Sequence, residues 1–226
     1  MRALAPQLSL VEQAYEAILS AISDGRLQPN ARLIQDELAE TLGVSRQPVG
    51  QALLLLRRHG LVREAPKRGL LVAALDTVFV RDLFDIRLAL DGIAARHAAS
   101  RNAALAREKG LAIIRKGKAA IKSGVIAKMI AADMEFHFFL YGLSENPLIA
   151  EISEPHWHYL RRLMGEILQH DETPKDIWAQ HEGIMLAVAA GKPAEAEKLA
   201  REHIIVASSF LMKRMRAREG AVAAET

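Results

Sequence analysis

Asp133 and His137 stand four residues apart in a run that is otherwise strongly apolar, with Met129, Ile130, Phe136, Phe138, Phe139 and Leu140 around them. On a helix that spacing sets a carboxylate and an imidazole on one face, one turn apart. If that face is buried, both need a polar partner, because an unpaired buried polar group is costly. A divalent metal is one such partner; the two side chains satisfying each other is the alternative. Most of the other histidines carry no such signal. His59 falls near a helix end, where imidazole suits the dipole. His156 and His158 are two apart, point in different directions, and are assigned no metal role. A different chemistry is offered by Ser45, Arg46 and Gln47. Arginine pairs with guanine N7 and O6, and glutamine can read adenine. Lys67-Arg68-Gly69 adds two cations for phosphates or a minor groove, beside a glycine that lets backbone approach closely.

These groups need elements to hold them. Leu10, Ala14, Ala17, Ile18, Ala21 and Ile22 recur at helical spacing, which predicts a helix over 9–23. Ser9 and Glu12 form a capping-box pattern at its start, and Asp24-Gly25 ends it. Pro29-Asn30 makes a turn, and a short helix follows over Gln35–Leu42 with Leu38 and Leu42 inward. Gly43 breaks it. Ser45 can cap a helix over Arg46–His59 whose core stripe is Val49, Leu53 and Leu56. Ala39 is small where the two helices cross, and Val44 plugs the angle between them, so Leu38 to Val49 has helix-turn-helix spacing. The second helix of such a pair presents its first residues to base edges, which is where Ser45, Arg46 and Gln47 fall. Two short strand-like runs, Leu61–Glu64 and Leu70–Ala73, flank Ala65-Pro66-Lys67-Arg68-Gly69 as a hairpin tip. Three helices and a hairpin predict a winged helix-turn-helix over residues 1–75. From 76 to 226 the pattern is helical throughout: 77–99, 102–122, 125–143, 146–169, 174–190 and 193–218. Pro174 and Pro193 suit first helical turns, where a missing N–H costs nothing. The fold class is therefore mainly α, a winged helix-turn-helix followed by an all-α antiparallel bundle of about six helices.

Composition bounds the function classes. The 226 residues are half hydrophobic, enough to bury a core, and carry a net charge of +3. Charge is unevenly placed. Arg2, Arg26 and Arg32 face six acidic side chains over 1–43, whereas 44–70 holds Arg46, Arg57, Arg58, Arg63, Lys67 and Arg68 against Glu64 alone. A basic patch beside an acidic stretch is the footprint of a DNA-reading element. No apolar run is long enough for a transmembrane helix, and residues 1–10 do not read as a signal peptide. There are no cysteines, which excludes disulfides and thiolate metal sites and fits a cytoplasmic protein.

The run Glu37-Leu38-Ala39-Glu40-Thr41-Leu42-Gly43-Val44-Ser45-Arg46-Gln47-Pro48-Val49, then Gln51-Ala52-Leu53 and Gly60-Leu61-Val62, resembles the GntR family of bacterial transcriptional regulators. One position departs: Gly50 stands where the family carries an arginine that commonly touches DNA. Glycine inside that helix also costs about 1 kcal/mol relative to alanine. The recognition-helix start and the hairpin tip are expected to make operator contacts through Ser45, Arg46, Gln47, Lys67 and Arg68.

Residues from about 79 to 215 resemble the FCD ligand-binding domain of the FadR branch. Arg81 to Asp91 matches its first helix, Asp133-x3-His137 the Asp-x3-His of its metal-binding members, His181-Glu182-Gly183-Ile184 the helix of the third ligand, and the run from Ala194 to His203 the last helix. The resemblance thus implies metal ligation by Asp133, His137, His181 and His203. One carboxylate and three imidazoles suit zinc first, and also nickel, manganese or iron. Six helices and a short chain look like the VanR-type subgroup. The expected function is a sequence-specific regulator, acting as a homodimer on pseudo-palindromic operator DNA, that senses a small carboxylate. Arg87, beside Leu83, Ile86 and Leu90, is the candidate to hold that carboxylate through a two-bond fork; an ion pair to Asp91 is its alternative role. An open metal position can also activate water, so a metal-dependent hydrolase or lyase fused to a DNA-binding domain is the alternative function. No general base emerges to support it, and the chain is expected not to be an enzyme.

Overall fold

The computed structural model describes residues 8–66, 69–168 and 176–224. By internal contacts it divides into two compact units. One comprises residues to Leu75 with His158–Glu166; the other comprises Asp76–Trp157 and the chain from Ile167.

The first unit is built on α1 (Leu10–Ser23), β1 (Arg32–Leu33), α2 (Gln35–Leu42), α3 (Arg46–Arg58), β2 (Val62–Ala65) and β3 (Gly69–Val72). The capping box starts α1 as expected: Ser9 Oγ accepts from Glu12 N at 3.2 Å, and Glu12 Oε2 accepts from Ser9 N at 2.7 Å. The buried stripe of α1 is Ala14, Tyr15, Ile18, Leu19 and Ile22, while Leu10 is exposed. The helical period read from the sequence holds, but its phase is rotated, because the large Tyr15 and Leu19 win the core over Ala17 and Ala21. In α3 the stripe is Val49, Ala52, Leu53 and Leu56, all essentially inaccessible. Between α2 and α3, Gly43 adopts φ +64°, a left-handed conformation that glycine takes without steric cost. Val44 N closes that turn on Ala39 O at 3.1 Å.

β2 and β3 form the antiparallel wing, with Val62 opposite Val72 and Ala65 opposite Gly69. The sheet has three strands in the order β1-β3-β2. β1 was not anticipated. Its two residues are too few to show alternation, and what makes them a strand is the free edge of β3. Asn30 N donates to Val72 O and Val72 N to Ala31 O. Within this unit His158 stacks on His59 at 5.2 Å, and Tyr15 Oη lies 2.8 Å from His59 Nδ1.

Among its described residues the second unit is all-α: α4 (Thr77–Arg101), α5 (Ala103–Ser123), α6 (Ile126–Leu143), α7 (Pro147–Leu168) apart from the His158–Glu166 stretch counted with the first unit, α8 (Ile177–Ala189) and α9 (Pro193–Ala224). Asp76 caps α4 by accepting from Val78 N and Phe79 N. Pro147 and Pro193 occupy first helical positions, where proline is pre-organised; Pro174 lies outside the described residues. α5 lies unusually close to α8. A Cβ on Gly110 would stand 2.5 Å from Met185 Cγ, and one on Gly117 1.9 Å from the Trp178 ring. α4 and α9 pack lengthwise, which sets the middle of α4, at Leu88 and Gly92, against Glu197 and Arg201 of α9.

Candidate functional site

α6, α8 and α9 each contribute one histidine to a single buried point. The ligand-capable nitrogens of His137, His181 and His203 lie within 4.8 Å of one another, and all three rings are 3% exposed or less. The hydrogen bonds fix two of the tautomers. His137 Nδ1 lies 2.6 Å from Asp91 Oδ1, an acceptor, so Nδ1 carries the proton and Nε2 presents a lone pair. His203 Nδ1 lies 3.0 Å from Gln180 Oε1, which sets the same tautomer. Fixing a ligating imidazole through its other nitrogen is a common way to aim it at a metal.

His181 Nε2 and His203 Nε2 are 3.1 Å apart. Two imidazole nitrogens bound to one zinc at about 2.0–2.1 Å stand roughly 2.9–3.4 Å from each other. The donor set and its spacing therefore fit a divalent ion. Asp133 sits at the edge of the cluster, with Oδ1 3.6 Å from His181 Nε2 and a side chain that keeps 20% of its exposure. It is outside the group of three whose donor atoms are mutually close.

Around the imidazoles is a polar network. Asp91, 1% exposed, accepts from His137 and from Tyr141 Oη at 3.2 Å. Arg87, 7% exposed, places Nη2 3.2 Å from His137 Nε2 and Nε 3.6 Å from Asp91 Oδ2. Its guanidinium lies over Trp157, 4.4 Å from the ring centroid, and near Phe84. The ion pair to Asp91 weighed from the sequence is thus formed, and it points Arg87 at the cluster rather than away from it. Burial raises the Asp91 carboxyl, but Arg87 and His137 outweigh that and hold it below its ordinary value. Burial wins at Asp133, whose carboxyl is raised despite the pull of His137 and Arg87. His181 and His203 are pushed well below the usual imidazole value, by burial first and then by neighbouring positive charge. Both are neutral, the form that binds a metal.

Sequence reasoning missed Asp91 as the partner of His137, and it missed Gln180, Tyr141 and Trp157. Asp91 carried one usable signal, its i+4 spacing from Arg87. Nothing local marks the other three, which join the cluster only through helix packing.

At the other candidate surface, Ser45, Arg46 and Gln47 are exposed at the start of α3, while Pro48 and Val49 turn inward. Ser45 has N-cap dihedrals but its hydroxyl makes no cap hydrogen bond. Arg46 Nε pairs with Asp36 Oδ1 at 2.6 Å, both exposed. Gly50 has a packing reason: Gln35 Nε2 donates to Arg46 O at 2.6 Å and would lie 2.7 Å from a Cβ at position 50. Lys67 and Arg68 lie outside the described residues. Among the described residues no helix is long and apolar enough to cross a membrane.

Comparison with known proteins matches both halves of the chain. The profile of the FCD domain covers residues 82–205 and that of the gntR family of bacterial regulatory proteins covers 10–72. An HTH-type transcriptional regulator from the TAR-I ttuE-ttuC' intergenic region of Agrobacterium vitis is 34% identical over 131 residues, 56% of this chain and 76% of that one. The HTH-type regulator McbR of Escherichia coli is 28% identical over 73% of this chain and 79% of its own. Among solved structures, E. coli McbR/YncC superposes with a TM-score of 0.76 at 22% identity, covering 92% of this chain and 100% of that one. A GntR regulator from Rhodococcus sp. RHA1 gives 0.76 at 21%, covering 91% and 99%. At these identities the structural likeness speaks for the fold.

Proposed function

Because the chain belongs to the GntR family of bacterial regulatory proteins and carries an FCD domain, we propose that this DNA-binding regulator senses a small carboxylate through a divalent metal held by His137, His181 and His203, with Asp133 as the fourth ligand. Members of this family are regulators, so the alternative of a metal-dependent hydrolase or lyase is set aside. The single observation that carries the metal reading is the convergence of three buried imidazoles whose Nδ1 protons, at His137 and His203, are already committed to Asp91 and Gln180. Zinc is the first choice for such donors, with nickel, manganese and iron suited as well. Bound there, the ion would supply a Lewis-acidic point for an anionic group. Asp91 and Gln180 hold the rings in register, and Arg87 offers donors to a carboxylate.

DNA recognition is assigned to residues 1–75, with Arg46 and Gln47 reading bases and Ser45, Lys67 and Arg68 contacting the backbone or minor groove. Residues 76–226 form the sensor, and its six helices favour the VanR-type subgroup of the FadR branch. A symmetric homodimer on a pseudo-palindrome is the natural assembly; light scattering should give twice the chain mass of 24.9 kDa. The decisive experiment is His181→Ala. Metal content by mass spectrometry and effector response should fall together, while operator binding by the winged helix persists. Wild-type protein that holds no metal after reconstitution at neutral pH would sink the proposal.

A further inference from the structure

The polar network around the three imidazoles contains its own cation. Arg87 is buried, its Nη2 lies 3.2 Å from His137 Nε2, and its Nε is a buried donor without a hydrogen-bond partner. An ion bound to His137 Nε2 at about 2.1 Å would stand no more than about 5.3 Å from that guanidinium nitrogen. Like charges that close, away from water, repel strongly. Among the described residues, the carboxylates placed to offset them are Asp91, at 3.6 Å from Arg87 Nε, and Asp133, at 3.6 Å from His181 Nε2. The imidazoles are neutral when they ligate. A divalent ion together with Arg87, set against these two carboxylates, leaves one positive charge uncompensated in a buried site.

From this we infer that Arg87 is an internal antagonist of the metal, and that the ligand sensed is a monoanion, which binds together with the metal and restores neutrality. The inference rests on the metal reading above and deepens it by specifying the charge of the ligand. A single carboxylate balances the site; a second would bury an unpaired negative charge, which costs as much as the positive one it was meant to relieve. Phe84 and Trp157 flank the guanidinium, and Phe136 stacks on His181 at 4.0 Å, so aromatic rings rather than water surround both positive charges and the repulsion is little screened. Metal and anion then favour each other's binding. Part of that coupling arises because the anion releases the metal from the field of Arg87, a differential interaction of the kind a sensor needs.

The test is zinc affinity of the full chain, stripped of metal and titrated in competition with a chromophoric chelator at neutral pH. Acetate serves as the monoanion and succinate as the dianion. Wild type should bind zinc, and acetate should tighten it at least tenfold, succinate less. Arg87→Met should bind zinc at least tenfold more tightly than wild type without any anion, and acetate should no longer help. Arg87→Lys, which keeps the charge, should stay near wild type. If Arg87→Met loses its helical circular dichroism, Arg87→Gln, which can still donate to Asp91, replaces it with the same expectation. Folded Arg87→Met that binds zinc no more tightly than wild type would overturn the antagonism, and succinate matching acetate would overturn the monoanion. Wild type that fails to bind zinc at all would instead defeat the metal site itself, so the two failures are distinct.

Discussion

Replacing Gly117 with alanine sets two physical effects against each other, and the structure says which one wins. By helix propensity alone the change should stabilise α5 by about 1 kcal/mol, since alanine loses less backbone entropy on folding. Packing opposes it. A Cβ at 117 would lie 1.9–2.1 Å from three carbons of the Trp178 ring. Ordinary carbon contact is about 3.5 Å, so the ring must retreat by roughly 1.5 Å. Trp178 has little room to do so: it is 4% exposed, and Phe136 and His181 stand against it with centroids at 6.2 and 4.7 Å. Overpacking of this kind costs about 1–3 kcal/mol, and more where the neighbour is rigid. The expected net is a loss of about 2 kcal/mol, which in a unit of this size lowers Tm by roughly 4–8 °C. Gly183 on α8 is the control, because nothing lies within 4 Å of its added Cβ. Gly183→Ala should therefore gain about 0.4–1 kcal/mol. Thermal unfolding of the two variants, followed by far-UV circular dichroism, should move Tm in opposite directions. Gly117→Ala should also weaken zinc binding, since the displaced ring presses on His181. A Gly117→Ala protein as stable as wild type would refute the close packing of α5 on α8.

Other consequences follow from the same residues. Arg46→Ala should cost about 1–3 kcal/mol of operator binding and relax base preference, whereas Lys67→Ala should weaken binding to all sequences and flatten the salt slope; unchanged gel shifts for both, on an operator found by selection, would dismiss the recognition assignment. Gly50→Arg should strengthen DNA binding by restoring a phosphate or base contact, and should leave Tm nearly unchanged, because the lost Gln35 bond to Arg46 O offsets the gain in helix propensity. For pH, His181 and His203 have folded pKa values below the ordinary 6.5. Below about pH 6.5 the unfolded chain takes up protons at these positions and the folded chain does not. Their contribution is complete above that pH and falls as pH drops toward the depressed values, by up to about 1.4 kcal/mol per unit for each ring. Metal-free protein should thus lose Tm between pH 7 and 5.5, and His203→Gln should flatten the profile; a wild-type profile already flat there would contradict the buried neutral imidazoles.

Legibility in the sequence followed the range of the interaction concerned. The helix-turn-helix was readable because its requirements are local: a small Ala39 at the crossing, a left-handed Gly43, and Pro48 tolerated in a first turn. The capping box at Ser9 and Glu12 was readable for the same reason. The phase of α1 was not, since whether Tyr15 or Ala17 faces the core depends on what the other elements leave room for. β1 was invisible because two residues carry no period, and a strand that short exists only while β3 offers an unpaired edge.

At the candidate site the same division holds. That Asp133 and His137 share a helical face, and Arg87 and Asp91 another, needs only the 3.6-residue period and the types of the side chains; resemblance adds His181 and His203 to the first pair. That the two faces meet is a matter of packing. Packing of α4, α6, α8 and α9 brings Asp91 to His137 Nδ1 and Gln180 to His203 Nδ1, selects the tautomers, and sets Asp133 at the rim while Arg87 stands at the centre. The reason is that a tautomer, a buried charge and a donor–donor spacing of a few ångströms are properties of groups far apart along the chain. They become defined only when burial removes water and leaves each polar atom to the partners that packing has delivered.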